Sequence, residues 1–113
     1  MGAKQSMVQA AGKGNMDRVK HHLKKRGRAV LFEKEPGGWT ALHKAARKGK
    51  VDMVNYLIES MADLESIDAS LSTPLHCACW KGHVDVVEKL LEKGANPLAV
   101  TESGWNPIHS ASF

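Results

Sequence analysis

The stretch GWTALHKAARKG, residues 38–49, holds a helix start and a helix stop within one short segment. Thr40 offers a side-chain oxygen to the exposed N–H groups that open a helix, and Gly49 can take the left-handed conformation that closes one. Much the same text returns as LSTPLHCACWKG at 71–82 and as GWNPIHSASF at 104–113. Thr40, Thr73 and Asn106 stand 33 residues apart, and Gly49 to Gly82, Asp52 to Asp85, Leu57 to Leu90 and Ile58 to Leu91 keep the same step. A period of this length implies stacked supersecondary units in place of one closed core.

Each unit reads as two helices. Pro74 and Pro107 follow the capping residue, at the first helical position where a missing N–H costs nothing. The first helix runs through ALHKAARK or PLHCACWK. The second opens with Asp52 or Asp85, whose charge suits the positive end of the helix dipole. Met53, Val54, Leu57 and Ile58, and later Val86, Val87, Leu90 and Leu91, then form a broad apolar stripe on one face. Helices this short are marginal alone and need neighbours. Gly94 closes the later second helix. Met61 stands at the same position, where a left-handed non-glycine residue costs about 1 kcal/mol, and Leu71 replaces the turn glycine seen at Gly38 and Gly104. The loop from Met61 to Leu71 is therefore expected to be irregular.

The totals agree with a folded domain. The chain has 113 residues, 42% hydrophobic and 25% charged, which argues against disorder. No apolar run approaches the length of a bilayer crossing, and the N-terminus lacks the apolar stretch of a secretory signal, so a cytoplasmic location is expected. Cys77 and Cys79 are too few and too local for a disulfide framework. Charge is uneven: residues 1–34 hold nine Lys or Arg against Asp17 and Glu33, while the remainder has seven basic and ten acidic residues.

The segments Gly-Trp-Thr-Ala-Leu-His-Lys-Ala-Ala and Thr-Pro-Leu-His-x-Ala-x-x-x-Gly-His, with Val-Asp-Val-Val-Glu-Lys-Leu-Leu-Glu-Lys-Gly-Ala-Asn after the latter, resemble the ankyrin repeat. The resemblance implies an all-α solenoid of stacked helix-turn-helix units joined by β-hairpin-like loops. Residues 1–113 then form a single repeat domain, with a divergent N-terminal capping unit at 6–35, repeats at 36–68 and 69–101, and an incomplete final unit at 102–113. In the capping unit Ala10-Ala11, Gly14 and Asp17 align with Ala45-Ala46, Gly49 and Asp52, but Arg18 and His22 stand where Met53 and Leu57 are apolar. A first unit has no preceding neighbour, so half of its stripe can be polar. By the same logic Val87 and Leu91 face downstream with only WNPIHSASF to cover them. The chain is accordingly expected to be a piece of a longer array, or to have a partner at that end.

The chemical candidates are few. His43, His76 and His109 recur at the repeat spacing, and the resemblance makes them structural, bonded near the helix start. Zinc would need them converging on one ion, and stacked repeats hold them too far apart. Cys77 and Cys79 lie on opposite sides of a helix, cannot share a metal, and read as small buried thiols. No nucleophile elbow, phosphate-binding loop, carboxylate pair or dinucleotide fingerprint occurs. No catalytic, metal or cofactor site is expected, and the chain reads as a non-enzyme.

Binding is the expected activity, and the resemblance places it on the concave surface. Trp39 and Trp105 share one position in the repeat, while Arg47 with Lys48, and Trp80 with Lys81, share another. In the resembled family these positions lie on the loop tips and the inner helix face. Aromatic rings beside Arg47, Lys48 and Lys81 suit a protein partner of acidic and apolar character. The same tryptophans could instead pack on their neighbouring hairpins. A membrane-surface adaptor is the alternative: MGAKQS places Gly2 and Ser6 in an N-myristoylation pattern, followed by a basic segment. Ser6 serves equally well as a helix cap. A third reading is a regulatory ankyrin segment of a larger protein. Nucleic acid is disfavoured, because no aromatic residues interleave the N-terminal basic positions.

Overall fold

The computed structural model describes residues 6–104 and Asn106. Among these residues six α-helices come in three antiparallel pairs, with no strand: α1 (Met7–Lys13) with α2 (Met16–Arg26), α3 (Ala41–Arg47) with α4 (Val51–Glu59), and α5 (Pro74–Lys81) with α6 (Val84–Glu92). The first helices stack as a row, α1 on α3 and α3 on α5, and α4 packs on α6 in an outer row. The expectations for Gly2, Trp105, Pro107 and His109 concern residues outside those described.

Each first helix opens with the same device. Thr40 accepts the N–H of His43 at 3.3 Å while His43 Nδ1 accepts the N–H of Thr40 at 3.3 Å, a reciprocal capping box with histidine in the third position. Thr73 and His76 repeat it at 3.4 and 3.0 Å. Ser6 and Gln9 do the same for α1, so the serine of the possible acylation pattern is used here as a helix cap. His43 also reaches across to the next unit, where its Nε2–H donates to the Ser72 carbonyl at 2.7 Å. His43 and His76 therefore hold their turns, as the resemblance implied, and His43 also joins two units.

The stripe on the second helices divides into two flanks. On the upstream flank Met53, Leu57, Val86 and Leu90 are all essentially inaccessible, whereas Arg18 and His22 of the first unit are half-exposed. On the downstream flank Val19 and Val54 are fully buried, Val87 is half-buried and Leu91 is 43% exposed. Burial thus follows which flank has a neighbouring helix pair, as stacking requires.

Between α2 and α3 the structure adds an element that the repeat pattern did not announce. Arg28–Phe32 forms a short 3-10 helix whose Val30 and Leu31 are buried in the core. Apolar side chains from a connecting segment thereby supply the core contacts that the polar α2 contributes sparingly.

The loops are paired through turns without regular strands. Glu35 N–H donates to the Trp39 carbonyl at 2.9 Å and Asp68 N–H to the Ser72 carbonyl at 3.0 Å. Successive tips are then tied by backbone bonds, Ala69 N–H to the Gly37 carbonyl at 2.8 Å and Glu102 N–H to the Ser70 carbonyl at 3.0 Å. The hairpin-like loops therefore form a second stack beside the helices.

Met61 and Leu71 keep the backbone conformation of the glycines they replace, with φ of 79° and 63°. Met61 is mostly exposed, so its side chain recovers little of the left-handed cost. Met61→Gly is expected to stabilise the protein by about 0.5–1 kcal/mol, the strain relieved being partly offset by the greater freedom of glycine in the unfolded chain. A rise in the urea midpoint at unchanged slope would register it.

Burial lowers the pKa of His43 below its usual value of 6.5, against the opposing pull of the Ser72 carbonyl and Asp68. The unfolded chain then takes up the proton first as pH falls. The His43 contribution to stability is therefore full above about pH 6.5 and is lost as pH drops through the lowered folded value. In urea unfolding at a series of pH values, His43→Gln, which can still form the capping box, is expected to lose stability less steeply below pH 6.5 than the parent.

Candidate functional site

The inner row of helices and the loop tips meet at a cleft of about 270 Å³ lined by Trp39, Arg47, Asp68, Cys77, Trp80 and Lys81. Trp39 comes from the loop before α3, Arg47 from the last turn of α3, and Cys77, Trp80 and Lys81 from α5. Asp68 comes from the next loop tip. Two repeats thus form one recess because α3 and α5 stack in register, with the matching first-helix positions side by side.

The two tryptophans do different things. Trp39 is half-buried, and its Nε1–H donates to Asp68 Oδ2 at 2.9 Å, joining one loop tip to the next. Lys44 Nζ lies 4.5 Å and Arg47 Cζ 4.3 Å from the centre of its ring, so two cations rest against one indole. Lys44 is in turn paired with Glu35 at 3.5 Å. Trp80 is freer: it is 49% exposed, and its one described ring neighbour is His76, at 5.5 Å between centroids. Trp39 forms a fixed wall and Trp80 an open apolar surface.

Asp68, which no repeat position singles out, is central to the geometry. Its Oδ1 accepts the N–H groups of Ser70 and Ser72 at 2.8 and 3.0 Å, while Oδ2 accepts from Trp39. The carboxylate is thereby spent on organising the turn and on holding the indole, leaving Arg47 and Lys81 as the cations at the rim. An aspartate two residues before a serine was the available signal, since that spacing suits an Asx turn.

Four of the expected binding residues, Trp39, Arg47, Trp80 and Lys81, are brought together here. Lys48 is not: it caps the end of α3 and points into solvent, away from the lining of the cleft. Trp105 and Gly2 lie outside the described residues. The two thiols differ from one another, which corrects the expectation that both are buried. Cys77 is buried at the edge of the cleft, whereas Cys79 is only half-buried, because a two-residue step carries it to another side of α5. Burial pushes the Cys77 thiol up to about 12 and raises Cys79 as well, so both stay protonated and weakly nucleophilic near neutrality. Among the described residues no three His, Cys, Asp or Glu side chains converge as a metal site would require.

Stacked helix pairs with joined loop tips define a helical repeat protein, here with an aromatic, cationic recess on the inner row. The model for "Ankyrin repeats (3 copies)" matches residues 7–101, and the chain belongs to the ankyrin repeat family. It is also similar to the 2-5A-dependent ribonuclease of Mus musculus, 38% identical over 69 residues. Those residues are 61% of this chain and 9% of that enzyme. Ankyrin repeats generally mediate protein–protein interaction, and the fold is typically non-catalytic. No helix among the described residues is long and apolar enough to cross a membrane.

Proposed function

We propose that this chain binds another protein through its concave face, with Trp80 as the apolar anchor and Arg47 and Lys81 as the charged rim, and performs no chemistry itself. The observation that carries the reading is the convergence of Trp39, Arg47, Trp80 and Lys81 around one recess. A half-exposed indole beside two cations favours a partner segment that presents an apolar side chain next to a carboxylate. The family's general role supports protein as the class of partner. A cytoplasmic location fits a partner of this kind and stays part of the proposal.

Trp80→Ala and Lys81→Glu test it. Each side chain is substantially exposed, so helical content and the urea midpoint should change little. Affinity for a partner captured by the parent protein should fall about tenfold or more for Trp80→Ala. Capture that survives both substitutions would reject the site. Trp39→Ala is a poorer test, because it also removes the bond to Asp68 and the seat of Lys44 and Arg47.

The similarity to a ribonuclease supports a second reading, in which a segment like this one serves within a larger enzyme and regulates it. On that reading the partner surface belongs to another part of the same protein. Adding the isolated domain to the enzyme lacking its repeats, and finding no change in activity with either parent or Trp80→Ala domain, would set that reading aside.

A further inference from the structure

The outer row of helices is electrically lopsided. Helix α2 carries Arg18, Lys20, Lys24, Lys25 and Arg26 against Asp17 alone, whereas α4 has Asp52 and Glu59 with no Lys or Arg, and α6 has Asp85, Glu88 and Glu92 against Lys89. Lys20, His21, Lys24, Lys25 and Arg28 are all exposed. Arg26 is paired with Glu33, the acidic residue nearest the end of the 3-10 helix. Within the outer row the positive charge is therefore concentrated on the first unit.

That surface also carries an apolar residue that packing does not explain. Val30 and Leu31 of the 3-10 helix turn into the core, while Phe32 beside them is 53% exposed. The 3-10 helix packs against α2, and the Arg26–Glu33 pair brings the residue following Phe32 up to the last turn of α2. An exposed aromatic ring beside a run of exposed cations, of which Lys20 also rests 5.5 Å from the centre of the Tyr56 ring, is the makeup of elements that lie on membranes. The cations meet anionic headgroups and the ring enters the acyl boundary. A surface for single-stranded nucleic acid would instead interleave several Phe, Tyr or Trp rings for stacking among its cations, and α2 has none of these.

We infer that the outer face of the first unit, made by Lys20, Lys24, Lys25, Arg28 and Phe32, docks on anionic lipid surfaces. The orientation leaves the concave cleft free, since α2 belongs to the outer row and the cleft to the inner one. The domain could then present a bound protein at a membrane. Attraction comes from the side chains themselves and requires no acyl chain on Gly2.

The test is co-sedimentation of the full chain, made without acylation, with vesicles of phosphatidylcholine alone or with about 30% phosphatidylserine. Binding is expected to the mixed vesicles only, and to weaken steeply as salt is raised. Lys24→Glu with Lys25→Glu should weaken it at least tenfold. Phe32→Ala should weaken it about threefold to tenfold, and Phe32→Trp should restore it, a rescue that a purely electrostatic contact would not show. Trp80→Ala should bind vesicles like the parent, so this result and the concave-face experiment can fail separately. Equal binding to neutral vesicles, no binding to the mixed ones, or retention by the charge-reversed variant would each overturn the inference. So would loss on charge reversal with no effect at Phe32, or binding to RNA in the absence of vesicle binding.

Discussion

Leu90→Ala is expected to destabilise the protein by about 2–5 kcal/mol, and Leu91→Ala, one residue further on, by less than about 1. Leu90 is fully buried on the flank of α6 that meets α4, so truncation removes its transfer energy and leaves a cavity between two units. Leu91 is 43% exposed on the other flank and has less burial to lose. Urea unfolding followed by helical signal would show the pair directly, as a large shift in midpoint for one and a small one for the other. A closed globular core would bury both leucines and make the two costs similar. The contrast therefore tests stacking itself, and equal losses would remove the basis of the fold description.

The second large effect is expected at Gly38. Its φ is 86°, and a Cβ built there would lie 2.9 Å from the backbone nitrogen of Ala69 and 3.0 Å from the Cα of Asp68. Gly38→Ala carries about 1 kcal/mol for the left-handed conformation, and then pushes apart two loop tips whose facing atoms are backbone and cannot rotate away. The bond from Ala69 N–H to the Gly37 carbonyl is the first to suffer, with the Trp39–Asp68 bond next to it. A total loss of about 2–4 kcal/mol is expected by urea unfolding, with a changed tryptophan emission reporting the displaced Trp39. Gly104, at the same place two repeats further on, meets no described residue within 4 Å and should tolerate alanine better, at the conformational cost alone.

Gly38 and Gly104 illustrate what was legible and what was not. Both read in the sequence as turn glycines, because the left-handed requirement is local and repeats with the unit. Only the stacked structure distinguishes them, since the atom that would clash belongs to another loop. The same division holds for the cleft. Trp39, Arg47, Trp80 and Lys81 could be named from their repeat positions, but the work of Asp68 could not, because its bond to Trp39 spans 29 residues. The 3-10 helix was missed for a related reason: AVLF is too short to show a period, and its burial depends on the space that the polar α2 leaves open.

The sequence by itself determined the unit, its caps and its stripe. Thr40 and Thr73 with their histidines, the closing Gly49 and Gly82, and the four-residue apolar sets act over a few residues, where spacing along the chain is spacing in space. Tertiary structure alone decided which flank of each stripe is buried, that Trp39 is bound to a neighbouring tip while Trp80 stays open, and that Phe32 is left facing solvent beside the cations of α2. Those outcomes depend on what arrives from other units, and the free energy of burial and of long-range hydrogen bonds is set by the neighbour as much as by the residue.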